Sequence, residues 1–331
     1  MEQEKRRPWR RWVVLVLMIV GFVVGGMIVP VQPEIAVAAE KIIEEPIAEN
    51  FLGFAGPLYL VNTLPTLAVT IILILVIAFF TNRSLKNSQR TDLVPRGIGN
   101  LMEAFFELLY NLTEGSAGTK YVRMIFPWFA TIMFYVLLAN LLKLIPGFES
   151  IGVLHSAHGE GHAIQEWGGG WANLLPAKVE EGGYILAPFF RGISVDLNFT
   201  FSLALIAVVM IQVVGFRAQG WGYLSKFFNT RRMFKVPFFG AMDFLVGLLE
   251  LISEISKILS FAFRLFGNMF AGIVLVAIVA GLLGKISILP AMIMMFELFV
   301  GVIQAFVFGM LTMVFMAQAT QGHGEEHAEA H

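Results

Sequence analysis

The chain has 331 residues, 57% of them hydrophobic and 14% charged, with a formal net charge of −1 and no cysteine. So apolar a composition reads as a polytopic membrane protein and not a soluble domain. The balanced charge points away from nucleic acid, and the absence of thiols excludes disulfides, thiolate nucleophiles and cysteine-held metals or iron–sulfur clusters.

A membrane helix needs about 20 mainly apolar residues, because hydrocarbon tolerates only internally closed backbone hydrogen bonding. The first such run, 12–29, follows five basic residues (Lys5, Arg6, Arg7, Arg10, Arg11) and precedes AVAA at 36–39. Residues 1–40 therefore read either as a retained anchor or as a signal-like segment with a small-residue cleavage site, and both leave the later topology unchanged. The next span is 61–80. After it, IGNLMEAFFELLYNLT (98–113) places Leu101, Phe105, Leu108, Leu109 and Leu112 at helical spacing, with Glu103 and Glu107 on another face. That pattern predicts an amphipathic helix lying along the cytoplasmic interface or against a partner.

The third span is 125–145. The connection 146–196, with GGGW and EEGG, is expected to be irregular and to fold over the outer face. Its His155, His158 and His162 lie in a glycine-rich setting with few carboxylates, so no metal site is expected. Asp196 and Asn198 read as the cap of the fourth span, 197–216, with a place on a water-filled path as the alternative. Two long apolar segments follow, 241–283 and 288–319, separated by Gly284, Lys285 and Ser287 and then Pro290. They predict an antiparallel hairpin whose first arm, far longer than the bilayer is thick, tilts, bends or starts in the interface. HGEEHAEAH ends the chain as a solvated tail, 321–331. With no internal repeat and no long linker, 41–320 is expected to be one membrane domain. The fold class is thus an all-α polytopic membrane protein of five or six membrane segments.

Orientation follows from lysine and arginine. Residues 1–11, 81–124 and 217–240 carry five, six and five, whereas 30–60, 146–196 and 284–287 carry one, two and one. This alternation places both termini on the cytoplasmic side.

The ionisable residues within the hairpin are the informative ones. Asp243, Glu250, Glu254, Lys257, Arg264 and Asn268 share one face of the first arm, and on the second Glu297 and Gln304 share a face with Gly301 and Phe308. A charge at bilayer depth costs at least about 2.5–3.5 kcal/mol and normally faces protein or water for a functional reason. Glu254 and Lys257 are spaced to pair structurally. Arg264 is not: Glu254, the nearest acid in sequence, lies ten residues away. No phosphate-binding glycine loop, nucleophile elbow or HExxH motif is present, so catalysis by this chain alone is unsupported.

SFAFRLFGNMFAG (260–272) resembles the signature of subunit a of the F-type ATP synthase, an arginine in an R-L-x-G-N context of the penultimate helix. FYVLLANLLKLIPG (134–147), SVDLNFTFSLAL (194–205) and IQAFVFGMLTMVFM (303–316) resemble further segments of that family in the same order, and the likeness covers roughly residues 60–320. It implies a membrane stator that gives two half-channels to the carboxylates of a rotating ring of subunit c, with peripheral-stalk subunit b and the catalytic ATPase head as further partners, and no cofactor. By motif, Arg264 would face the ring carboxylate, Asn268, Glu297 and Gln304 would line the outer half-channel, and Glu250 and Ser260 would lie near the inner path, with Glu254, Lys257, Asp196 and Asn198 as further candidates for the proton path. The sequence departs from the family pattern in places. Ile273 stands where some members carry an ionisable partner for position 297, Ile258 replaces a proline and Lys143 replaces an acid, so Glu297 is left without a paired histidine or acid. The alternative reading is a secondary transporter using Arg264 and Glu297 for substrate or ion coupling, against which there is no inverted repeat. The choice between H⁺ and Na⁺ rests chiefly with the ring.

Overall fold

The computed structural model describes residues 39–43, 45–47, 57–88, 97–145, 149, 151–156, 161–168, 171–179, 182–226, 237–283 and 289–321. The apolar run at 12–29 and the tail 322–331 lie outside the described residues. Five helices account for the remaining spans: α1 (Thr63–Ser88), α2 (Ile98–Leu142), α3 (Leu197–Gln219), α4 (Pro237–Leu283) and α5 (Leu289–Thr320). All five are long and apolar enough to cross a membrane. Local chemistry sets several ends. Pro237 opens α4, where its missing N–H leaves no helical bond unmade. The Asp196 side chain caps α3 by accepting from the Asn198 amide.

The predicted amphipathic helix and the third span are two legs of α2, divided at Gly118 (φ 74°, ψ 165°). That backbone region is essentially reserved for glycine. In one straight helix the 16 residues from Tyr110 to Phe126 would span about 24 Å. Their rings are 5.3 Å apart, and those of Phe106 and Phe134 are 6.0 Å apart, so the first leg doubles back on the second. Its apolar stripe is thereby divided: Leu109 is buried against the chain itself, while Leu101 and Leu108 stay exposed. The expected docking on an interface or partner thus gives way, for the aromatic part of the stripe, to packing within α2.

The connection expected to be irregular carries a four-stranded sheet, ordered β1-β4-β2-β3. Its strands are β1 (Gly152–Ser156), β2 (Gly161–Gly168), β3 (Trp171–Val179) and β4 (Tyr184–Pro188). β2 and β3 pair antiparallel with irregular register at His162/Ile164 and Glu166/Gly168, which explains why strict apolar alternation is missing from the sequence. Gly161 and Gly183 approach so closely that a Cβ on either would lie within 2.6 Å of the other's backbone, so the glycines serve the sheet as well as its turns.

The described chain sorts into two compact units. The smaller contains Gly152–Ala187 and Gly272–Phe296; the larger contains the described parts of Ala36–Ile151, Pro188–Ala271 and Glu297–His331. Within the larger unit, α5 runs antiparallel to both α4 and the second leg of α2. Against α4, Asn268 meets Gln304 and Phe261 meets Phe308 and Phe315. Against α2, Glu297 meets Lys143, Gly301 meets Asn140, and Gly309 lies against Met133 and Phe129. Gly301, Ala305 and Gly309 form a small-residue ridge at four-residue spacing. Such a ridge lets helices approach closely where lipid supplies no hydrophobic drive for their association.

Candidate functional site

Arg264 occupies a half-buried position on α4, between Phe261 and Leu265, which are turned inward, and Phe263, which is on the surface. Its Nη2 donates to Ser260 Oγ, one turn earlier, at 3.2 Å. Among the described residues no carboxylate is within salt-bridge distance of it. A guanidinium remains protonated at any physiological pH, so this is a fixed positive charge that does not relay protons. One turn further, Asn268 Nδ2 donates to Gln304 Oε1 on α5 at 2.6 Å, tying the two arms of the hairpin together beside the arginine.

Glu297 is only 8% exposed. Sequence alone left it without a histidine or acid to pair with, and the structure supplies a cation: Lys143 Nζ, just past the end of α2, lies 3.3 Å from Glu297 Oε2. Asn140, one turn before Lys143, donates from Nδ2 to the Gly301 carbonyl at 3.1 Å and accepts at Oδ1 from Ser194 at 2.7 Å. Both residues stand in the ANLLKLIP run. The signal that could have drawn attention to them is the three-residue spacing of Asn140 and Lys143 on one helical face, matched by the four-residue spacing of Glu297 and Gly301.

The polar stripe on α4 does not share one destination. Glu254, 6% exposed, accepts from Lys257 at 2.8 Å and from Gln212 of α3 at 2.9 Å, and Tyr223 in turn donates to Gln212 at 2.7 Å. Lys257 also sits 4.7 Å above the Phe315 ring. These bonds tie α4 to α3, and Lys257 pairs with Glu254 as their three-residue spacing allows. Glu250 is half-buried near Tyr223. Ser260 is exposed apart from its bond to Arg264, and the side chain of Asp243 lies outside the described residues. Asp196 uses both carboxylate oxygens, on the Asn198 amide (2.9 Å) and Thr63 Oγ1 (3.2 Å), so it caps α3 and ties it to α1. Of the loop histidines, His162 Nδ1 lies 3.0 Å from the Leu175 carbonyl, and His158 is outside the described residues.

Glu149 was not singled out from sequence. It accepts the Gly192 amide at 3.2 Å, and burial raises its pKa, an effect opposed by that amide, Arg191 and Lys143 and reinforced by Glu297.

The chain matches the family described as ATP synthase A chain over residues 65–317. The chain belongs to that family. ATP synthase subunit a of Acidothermus cellulolyticus is 30% identical over 243 residues, covering 70% of this chain and 72% of its own. The subunits a of Campylobacter jejuni subsp. doylei and Mycobacterium ulcerans are 29% and 25% identical, covering 75% and 80% of this chain and 86% and 89% of theirs. The protein is accordingly a multi-pass membrane subunit of the ATP synthase complex with a part in its proton channel, and it is not an enzyme by itself.

Proposed function

We propose that the chain is the stator half of a rotary proton channel, giving two offset half-channels to the carboxylates of a ring of subunit c. The observation that carries this reading is Arg264: half-exposed at the middle of a family-matched helix, bonded to Ser260, and without a carboxylate partner among the described residues. A fixed cation so placed favours the ionised form of an acid that moves past it, and it bars protons from crossing directly between the half-channels. Asn268, Glu297 and Gln304 line the outer half-channel; Glu250 and Ser260 stand near the inner one. Glu254 and Lys257 on α4, and Asp196 and Asn198 at the start of α3, are further candidates for the proton path.

Further partners are the peripheral-stalk subunit b and, through it, the catalytic head. The chain resides in the cell's inner membrane with its C-terminus cytoplasmic, as the basic connections indicate. Residues 41–320 act as one membrane domain, and within its larger unit polar contacts draw parts of α1, α2, α3, α4 and α5 together. The test is Arg264→Ala in membrane vesicles. Proton-coupled ATP synthesis is expected to vanish while ATP hydrolysis by the detached head persists, and retained coupled synthesis would sink the assignment. Driving the same vesicles with a proton gradient and then a sodium gradient identifies the coupling ion.

A further inference from the structure

Four charged side chains gather where α2 ends and the segment before α3 begins: Lys143, Glu149, Arg191 and Glu297. Gly192 organises them. Its amide holds Glu149 Oε1 at 3.2 Å, and a Cβ at this glycine would lie 3.1 Å from Lys143 Cβ, so the bare Cα leaves the room in which Lys143 passes to reach Glu297. Its φ of −53° is open to any residue, so it is this close approach that calls for glycine. Arg191, 8% exposed, adds a second cation, and its own amide is anchored on Thr66 Oγ1 at 3.1 Å.

We propose that Glu149 is a protonatable group on the outer approach to Glu297, taking up a proton on the side of the 146–196 connection and passing it to Glu297 across a cluster whose two acids are balanced by Lys143 and Arg191. The inference deepens the proposed function and rests on its reading of Glu297 as a proton carrier. With both acids ionised the cluster is neutral, and it therefore has room for one proton at modest electrostatic cost. The two acids also oppose each other. An ionised Glu297 raises the proton affinity of Glu149, and a protonated Glu297 lowers it. Glu149 thus loads when Glu297 is ionised and resets to its anion after the proton has moved on. Only a proton is transferred: the Glu149 O–H bond breaks and a Glu297 O–H bond forms. Gly192 keeps the loop carboxyl beside the cluster, and the two cations stop both acids from becoming neutral together.

The experiment measures passive proton conduction after removal of the catalytic head, in vesicles acidified on the side of the 146–196 connection, for wild type, Glu149→Gln, Glu149→Asp and Glu297→Gln. Glutamine keeps the acceptor for the Gly192 amide and removes only the titration. Glu149→Gln is expected to slow conduction about tenfold or more and to flatten its dependence on outer pH, while Glu149→Asp retains both with a displaced pH midpoint. If Glu297→Gln blocks conduction but Glu149→Gln conducts like wild type with the same pH profile, this inference is overturned and the proposed function stands. Wild-type conduction in Glu297→Gln overturns the reading of Glu297 itself. Should Glu149→Gln fail to accumulate, Glu149→Asp carries the test, and a midpoint identical to wild type counts against the relay.

Discussion

Asn268 on α4 donates to Gln304 on α5 across 2.6 Å, and Gln304 is itself only 3% exposed. The bond closes the hairpin one turn from Arg264. Its energetic weight is asymmetric, because a buried amide deprived of its partner costs about 1–3 kcal/mol, whereas replacing both partners by apolar groups costs far less. Asn268→Ala is expected to lower the thermal stability of the detergent-extracted subunit by that order. Adding Gln304→Leu should recover much of the loss, and a double variant no more stable than Asn268→Ala would mean that the bond does not hold the arms.

The network around Glu254 makes a separate expectation. Lys257→Met takes the ammonium group away from the buried Glu254 carboxylate that it meets at 2.8 Å, and breaking a buried pair from one side costs about 3 kcal/mol. The amount of folded subunit in membranes should fall, and Glu254→Gln in the same chain should restore it by removing the charge. Failure of the second change to rescue the first would show that Lys257 acts by something other than charge balance.

The ridge on α5 is tested at Gly309, where a Cβ would lie 2.8 Å from Met133 Cβ and 3.1 Å from a ring carbon of Phe129. Neither atom is a flexible tip. Gly309→Ala should therefore destabilise by about 1–3 kcal/mol through overpacking. Gly267→Ala on α4 meets nothing within 4 Å and should be tolerated or slightly stabilising. Equal unfolding temperatures for the two variants would contradict the close approach of α5 and α2.

Glu149 gives a pH dependence of stability with a definite sign. Its folded pKa lies above the ordinary carboxylate value, chiefly because it is buried, so folding disfavours the ionised form. The penalty is absent below the unfolded pKa, where both states hold the proton, and sets in as pH rises through the unfolded value towards the folded one. Glu149→Gln should consequently raise the unfolding temperature more at pH 8 than at pH 4. A gain confined to pH 4 would reverse the sign.

The five described spans were legible in the sequence because each is an apolar run longer than the hydrocarbon is thick, a signal that needs no tertiary information. Arg264 stood out for the same reason, as a charge set in such a run. The reversal at Gly118 was hidden: helical periodicity continues on both sides of it, and nothing in TEGSAGTK distinguishes Gly118 from Gly115, which stays helical. The sheet was hidden because its register shifts erase the two-residue alternation. Lys143 and Glu149 read as isolated charges 154 and 148 positions from Glu297 in sequence, and only the antiparallel packing of α5 on α2 brings them to it.

That packing has a mechanical consequence. From Ser194 through Asn140 to the Gly301 carbonyl, and from Gln304 to Asn268, hydrogen bonds fix the rotational setting of α5 and then of α4 about their long axes. If a ring pushes against the Arg264 face with each passing carboxylate, the reaction torque enters the protein through α4. It is borne by a few amide groups in α2, α4 and α5, two of them buried, and stiffness at Asn140 becomes as much a condition of coupling as charge at Arg264.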